Sequence, residues 1–358
     1  TMRDMTDVRF EIPKFVPENC TGCSQCWTQC PDTAIPGLVT SIDDVLKRAA
    51  KHAGKVHSIK RFNTVVKPLA NECRTMMKGV PFTTFGAILR PAFTNVLEKM
   101  APTPERRAEL EADFTVIFPV IDEFPLAKTG PFFDGPEAKA KGEGALLSIT
   151  INPETCKGCN ICVDVCPDNA LITIKQTDPE VAMLRRNWAF WEELPETDDK
   201  YVKIASLNEG IGVLSSMLLK KENYLSMAGG DGACMGCGEK TSLHLVISAT
   251  TAMMGPRVEA YVAKLDAMIA GLDAKARGLV TNEVDIEAIL AEDSSVDVPL
   301  DPRRRDTIQR ITAAIRNLKD LRWRYVEGPS GNGRAPLGFA NSTGCTSVWA
   351  STFPYNPY

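Results

Sequence analysis

The sequence predicts an α+β fold built around a small cysteine-rich module that occurs twice. Two observations carry this prediction: the chain has 12 cysteines among its 358 residues, and eight of them fall in two runs of identical spacing. The runs are CTGCSQCWTQCP, starting at Cys20, and CKGCNICVDVCP, starting at Cys156. Apolar residues at helical spacing follow the first run, so we expect a mostly helical insertion between the two copies.

Composition places the chain in the ordinary globular class and excludes several kinds of function. Apolar residues make up 44%, charged residues 24%, and the formal net charge is -4. This balance gives no indication of a nucleic acid or membrane partner. The sequence has neither a secretory signal pattern nor a run of about 18 apolar residues that could span a bilayer. We therefore expect a cytoplasmic protein, in which clustered cysteines are metal ligands rather than disulfides.

Each cysteine run has the spacing C-x2-C-x2-C-x3-C-P, which is typical of ferredoxins with two [4Fe-4S] clusters. Three thiolates of one loop bind one cluster, and the fourth cysteine, expected to start a helix, binds the neighbouring cluster. The two motifs therefore exchange their last cysteines. The predicted ligands are Cys20, Cys23, Cys26 and Cys166 for the first cluster, and Cys156, Cys159, Cys162 and Cys30 for the second.

Zinc is the alternative metal that these cysteines could bind. A tetrahedral zinc site needs four ligands and gives no role to the two closely spaced further cysteines and the proline of each run. Gly22 and Gly158 lie inside the loops, where the backbone must approach a cluster and its N–H groups point at sulfur. The sequence thus favours a ferredoxin-like electron relay. Cys73 has no cysteine or histidine near it at ligand spacing and is predicted to be a buried structural residue.

The remaining patterns predict the domain organisation. Residues 1–180 form the ferredoxin-like domain, with the mostly helical insertion at about 37–147 ending in a Pro/Gly-rich loop. Residues 181–228 form a linker with packing helices. Residues 229–358 begin a second domain, and two amphipathic stripes predict a helical hairpin inserted in it at about 253–334.

A third group of cysteines follows in GGDGACMGCGEKT, from Gly229. Its Gly-Asp-Gly looks like a Mg²⁺ motif, but no asparagine follows Asp231 at the required spacing, so we interpret Asp231 as a loop residue. Cys234 and Cys237 instead predict a pair of metal ligands. Cys345, in ANSTGCTSVWAS and expected at the end of a strand, provides a third ligand. A metal-free C-x2-C pair is the alternative.

At these residues the chain resembles the pyruvate:ferredoxin (flavodoxin) oxidoreductases, which are 2-oxoacid oxidoreductases that use thiamine diphosphate and coenzyme A. The resemblance rests on GACMGCGEKT followed by ANSTGCTSVWAS, in the family's order after a two-cluster ferredoxin-like domain. It covers roughly residues 8–36, 148–252 and 335–358. It implies that residues 229–358 are the first part of an α/β thiamine-diphosphate-binding domain.

The resemblance also implies the site residues and the chemistry. Cys234, Cys237 and Cys345 would bind a third, proximal [4Fe-4S] cluster whose fourth ligand lies outside this chain. Gly238, Glu239 and Cys345 would lie near thiamine diphosphate, while Mg²⁺ and the catalytic residues would be held largely outside the chain. The implied reaction is CoA-dependent oxidative decarboxylation of a 2-oxoacid, foremost pyruvate, to acyl-CoA and CO2, or its reverse.

The implied partners follow from the same family. They are ferredoxin or flavodoxin as the electron acceptor, the remaining domains or chains of the oxidoreductase, and a second copy of the full enzyme in a homodimer. This chain would then be part of the catalytic polypeptide. The alternative is a polyferredoxin-like electron-transfer subunit of another redox complex, with no active site of its own. It needs only the eight motif cysteines and leaves Cys234, Cys237 and Cys345 unexplained.

Overall fold

The computed structural model is a mixed α/β structure with mostly helical content, in agreement with the predicted class. The chain divides into two units, Thr1–Ala249 with Ala340–Tyr358 and Thr250–Phe339. Asp231 and its Gly-Asp-Gly lie outside the described residues. The described residues are 4–79, 82–202, 213–226, 234–281, 301–329, 331, 333–334, 338, 340, 342 and 344–350.

The strands described in the larger unit form two small antiparallel sheets. One sheet pairs β1 with β5, and the other has the order β2-β4-β3. The strands are β1 (Glu11–Phe15), β2 (Gly37–Ser41), β3 (Leu126–Ala127), β4 (Ala145–Ile149) and β5 (Leu171–Lys175).

The helices of the larger unit surround these sheets and alternate with short 3-10 turns at Thr6–Val8, Pro17–Asn19 and Phe62–Thr64 and a π turn at Gly130–Asp134. The last long helix, α12, passes the division between the units at Thr250. The helices are α1 (Gln25–Gln29), α2 (Ile42–Ala53), α3 (Val66–Gly79), α4 (Phe85–Met100), α5 (Pro104–Ile121), α6 (Gly135–Lys139), α7 (Ile161–Asp164), α8 (Asp178–Glu193), α9 (Asp199–Val202), α10 (Val213–Met217), α11 (Lys221–Tyr224), α12 (Gly238–Thr281) and a C-terminal helix, Cys345–Ala350.

The cysteine module is a local repeat. β1 precedes the first motif and β5 follows the second, and their antiparallel pairing, with Glu11 opposite Lys175, brings the two motifs together. The loops have the same backbone shape, because Gly22 and Gly158 both have positive φ, 79° and 68°. The short helices α1 and α7 then hold the third cysteine of each motif.

The prediction that the fourth cysteine starts a helix is wrong. Cys30 lies at the carboxyl end of α1, and a turn connects it to β2. Cys166 likewise follows α7, and a turn leads from it to β5. The physical reason is that both segments after the fourth cysteine are taken up by strand pairing, β2 with β4 and β5 with β1.

The insertion is closed at its base by β2 and β4, in which Gly37 pairs with Ile149 and Ser41 with Ala145. Ser41 also caps α2, because its side chain accepts a hydrogen bond of 3.1 Å from the Asp44 N–H. The apolar face of α2 is buried as the spacing predicts, in one core with α3, α4 and α5. Cys73 is fully buried in that core, as predicted. The end of the insertion is not a plain loop, since it contains β3, the π turn and α6.

The smaller unit contains the second part of α12 and one further long helix, α13 (Pro302–Val326). The ring centroids of Tyr261 and Tyr325 are 5.2 Å apart, and Arg322 forms an ion pair with Asp266. These contacts run in opposite chain directions, so the two helices form an antiparallel hairpin. Among the described residues of the chain, none of the helices combines the length and apolar character that crossing a bilayer requires.

Candidate iron-sulfur site

Two small cavities lie side by side in the cysteine module, and each is lined by four thiols. The loop cysteines of one motif line each cavity together with the last cysteine of the other motif, which is the exchange that the spacing predicts. In the described part of the chain, no three Cys, His, Asp or Glu side chains are grouped to hold a single metal ion. The first set is Cys20, Cys23, Cys26 and Cys166; the second set is Cys30, Cys156, Cys159 and Cys162.

The thiols of both sets are buried or half-buried. Burial raises the pKa of Cys20 and Cys30 to about 12, and that of Cys156 to about 11. Burial also raises the pKa of Cys26 well above its usual range, and the nearby thiols of its own set raise it further. A buried thiolate is therefore unfavourable without a compensating cation, as expected for metal ligands.

Main-chain N–H groups point at the sulfurs of both sets. Ala34 N donates to Cys30 Sγ at 3.3 Å, and Ala170 N donates to Cys166 Sγ at 3.2 Å. These two contacts occupy matching positions after the fourth cysteine of each motif. N–H groups that donate to sulfur are the usual surroundings of an iron-sulfur cluster. The four thiols and their donors in each cavity thus fit a [4Fe-4S] cluster.

The two sets are close enough to interact electrostatically. The pKa of Cys162 is raised by burial, then by Cys30 and Cys156 of its own set, and also by Cys26 of the first set. Such proximity is what electron transfer from one centre to the other requires.

Comparison with known proteins agrees with this site. A family model described as 4Fe-4S binding domain matches residues 149–172, which include the whole second motif. The putative pyruvate-flavodoxin oxidoreductase of Synechocystis sp. is 31% identical over 135 residues, which are 36% of this chain and 10% of that protein. Over this matched part, the chain is similar to a pyruvate-flavodoxin oxidoreductase.

Other relatives are similar over comparable lengths. The pyruvate-flavodoxin oxidoreductase of Trichormus variabilis is 28% identical over 109 residues, 28% of this chain and 8% of that protein. The mitochondrial NADP+ pyruvate dehydrogenase of Euglena gracilis is 33% identical over 112 residues, 30% of this chain and 5% of that protein. The matched region thus spans a tenth or less of the length of these oxidoreductases.

The third cysteine group is arranged differently. Cys234 and Cys345 are exposed and Cys237 is half-buried. Cys345 starts the C-terminal helix instead of ending a strand, because Ser342 and Gly344 accept hydrogen bonds that begin a helical turn. The three cysteines are not grouped as a metal-ion site.

The residues that the family places near thiamine diphosphate are likewise open to solvent. Gly238, Glu239 and Cys345 are all exposed, so the described residues do not enclose a cofactor there. The described residues therefore do not by themselves form a thiamine diphosphate site, and no step through that cofactor follows from them.

The segment that holds the cysteine pair of the third group nevertheless contacts the second set. Gly236, between Cys234 and Cys237, directs its N–H at the sulfur of Cys159. Its φ is +67°, and an added Cβ would lie 3.1 Å from the Ile161 side chain. This backbone could not approach so closely with a larger residue.

A buried group of ion pairs between side chains holds the same segment in place. Lys240 Nζ lies 2.7 Å and Lys157 Nζ 3.4 Å from Asp32 Oδ1, and all three side chains are at most 4% exposed. Sequence reasoning missed these residues. A signal was present, because each follows a predicted ligand closely: Asp32 follows Cys30, Lys157 follows Cys156, and Lys240 follows Cys237.

Proposed function

We propose that this chain is the electron-relay portion of a 2-oxoacid oxidoreductase that uses ferredoxin or flavodoxin as acceptor, with pyruvate as the foremost substrate of the whole enzyme. The observation that carries the proposal is the exchange of the fourth cysteines between two adjacent four-thiol cavities. In this proposal the first set holds one [4Fe-4S] cluster and the second set another. When bound, such clusters accept and release electrons one at a time.

The residues of the chain position and insulate these centres. The sheet of β1 and β5 fixes the two motifs against each other, and the buried Cys30, Cys156 and Cys162 are shielded from water. Asp32 ties the segments after Cys30, Cys156 and Cys237 to one point through Lys157 and Lys240. The contact of Gly236 with Cys159 supports an electron path that enters at the second centre and leaves through the first.

The remaining parts of the proposal concern the whole enzyme. Cys234, Cys237 and Cys345 would hold a proximal third cluster, completed by a ligand from elsewhere in the enzyme. The exposure of Cys234 and Cys345 supports a site that another part of the enzyme completes. Thiamine diphosphate, Mg²⁺ and CoA would be bound largely by other parts of a homodimeric enzyme, with Gly238 and Glu239 at the edge of the thiamine site.

A second candidate is a polyferredoxin-like electron-transfer module of another redox complex. One observation favours it: Cys234 and Cys345 of the third group are exposed, whereas the other eight cysteines line two cavities in sets of four. In that case the segment from Cys234 to Lys240 serves only to cover the second centre.

Iron counting of the anaerobically purified chain tests both candidates. Two centres correspond to about eight irons per chain and three to about twelve, since each centre holds four. We expect about eight irons and a [4Fe-4S] electron paramagnetic resonance (EPR) signal from the chain alone. A colourless zinc-containing product would contradict the proposal.

The assembled enzyme separates the two candidates. Replacing Cys234 and Cys237 together with Ser is expected to remove about four irons per chain from the full oxidoreductase. The same change in the isolated chain should leave its iron content unchanged. Cys73→Ala is the matched control, because Cys73 is buried away from both sets. A double variant that keeps full iron and full 2-oxoacid-dependent acceptor reduction would favour the polyferredoxin-like module.

A further inference from the structure

Tyr224 brings a side-chain hydroxyl to the second set. It is fully buried, its hydroxyl accepts a 3.1 Å hydrogen bond from Ile35 N, and this hydroxyl lies beside the Cys30 thiol, which accepts from the neighbouring Ala34 N. Since the Ile35 N–H uses the oxygen as acceptor, the phenolic proton is available to the sulfur. A hydroxyl that donates to a cluster-ligand sulfur stabilises negative charge on that ligand.

Arg9 brings a buried positive charge to the same set. It is only 5% exposed, and its Nη1 donates to the carbonyl oxygens of Pro153 and Cys156. Its Nε and Nη2 are buried without a hydrogen-bond partner among the described residues. A guanidinium group with unused N–H donors beside Cys156 indicates an anionic group that would complete its hydrogen bonds.

The first set has a different environment. There the donors to sulfur are main-chain N–H groups, of Gly22, Trp27 and Ala170. The charged neighbour is the exposed Asp168, whose carboxylate accepts a 2.8 Å hydrogen bond from Thr21 and raises the pKa of Cys20 in addition to the larger effect of burial. At the second set, Asp32 raises the pKa of Cys30, Cys156 and Cys159 in addition to the larger effect of burial, but its carboxylate is paired with both Lys157 and Lys240. Negative charge is thus opposed at the first set, whereas at the second set Arg9 and the two lysines outweigh Asp32, and Tyr224 adds a hydroxyl donor.

We propose that Tyr224 and Arg9 are positioning residues of the second centre that give it a higher reduction potential than the first. Reduction adds one electron, and therefore one negative charge, to a centre without making or breaking a bond to the protein. Hydrogen bonds to sulfur and nearby net charge are among the factors that set such potentials. This inference rests on the proposed two-centre relay and specifies how the relay works.

The consequence is that a transferred electron is retained inside the protein. An electron arriving on the side of Gly236 would settle on the second centre, and its passage to the first centre would be the uphill step. Release would then depend on an acceptor that drains the first centre.

A redox titration of the full chain with both centres tests this inference. EPR spectra recorded during anaerobic reduction with dithionite give one midpoint for each centre, and Cys23→Ala assigns the first centre by altering its signal. In the wild type we expect the second centre to be reduced first. Tyr224→Phe should shift only the second midpoint to lower potential. Tyr201→Phe is the matched control, because that buried hydroxyl donates to the Glu143 carbonyl and not to sulfur.

A second pair of variants keeps the test decisive if Tyr224→Phe does not fold. Arg9→Gln removes the charge and should lower the second midpoint, whereas Arg9→Lys keeps the charge and should shift it less. The inference is overturned if the wild-type first centre is reduced first, or if folded variants leave both midpoints unchanged or move them equally. Failure of the proposed relay looks different: the wild type itself would hold fewer than about eight irons.

Discussion

The eight motif cysteines and the pair Cys234 and Cys237 share C-x2-C spacing, yet the eight line two cavities in sets of four and the pair lines neither of them. In the motif repeat, the pairing of β1 with β5 brings two loops of matching shape together, and each cavity is lined by four buried or half-buried thiols. Cys234 and Cys345, by contrast, are exposed. Spacing within a loop therefore supplies ligands, but a paired scaffold is needed to close a site.

The largest expected effect comes from breaking the exchange between motifs. Cys166 belongs to the second motif but lines the cavity of the first set, so we propose it as a ligand of the first centre and test it with Cys166→Ala. We expect the first centre to be altered or lost, with up to about four of eight irons missing, while the second centre keeps its signal. Iron analysis and EPR measure this outcome.

The complementary variant is Cys30→Ala, which should affect the second centre alone. If Cys166→Ala instead damaged only the second centre, each motif would bind its own cluster and the exchange would be wrong.

A smaller effect tests whether the two repeats are equally constrained. Gly22 and Gly158 both have positive φ, which costs a non-glycine residue about 1–2 kcal/mol. A Cβ at Gly158 would also lie 2.6 Å from the Glu11 carbonyl oxygen, whereas at Gly22 its nearest contacts are 3.5 Å away. Gly158→Ala should therefore lower the free energy of unfolding by about 3 kcal/mol and Gly22→Ala by about 1 kcal/mol.

Denaturant unfolding followed by tryptophan fluorescence compares these two variants, and each is the control for the other. Equal losses of unfolding free energy would mean that the Glu11 strand yields to the added methyl group, so that the second loop is no more tightly held than the first.

What the sequence could predict is local in origin. The two sets of four cysteines that line the cavities are those expected from the spacing within two twelve-residue runs, and the buried face of α2 follows from helical periodicity. The contacts of Asp32 with Lys240 and of Tyr224 with Cys30 join residues far apart in the chain. No periodicity encodes such pairs. The turns after Cys30 and Cys166 differ from the prediction for a related reason. Strand partners from distant segments outweigh the preference of proline for the first turn of a helix.

The smallest expected effect concerns α12. The start of this helix includes buried side chains, in contrast to the exposed Cys234 that precedes it. Within its first two turns His244 is fully buried against the Tyr224 ring. Neither ring nitrogen has a hydrogen-bond partner among the described residues. Burial, aided by the charge of Lys240, lowers the pKa of His244 from 6.5 to about 4. The folded protein therefore holds this imidazole neutral over a pH range in which the unfolded chain protonates it.

The sign of the pH effect follows from this difference. Between pH 6.5 and about 4 the unfolded chain binds more protons at His244, so folding stability falls as the pH falls through that window. The loss attributable to His244 should be about 0.8 kcal/mol at pH 6 relative to pH 8. His244→Leu should lose less stability than the wild type over the same interval, while the exposed His57→Leu should follow the wild type. Identical pH dependence in all three proteins would mean that His244 titrates normally and that the start of α12 is not held against the cysteine module. Because Lys240 and Gly236 share that contact, the same result would also weaken the proposed entry of electrons at the second centre.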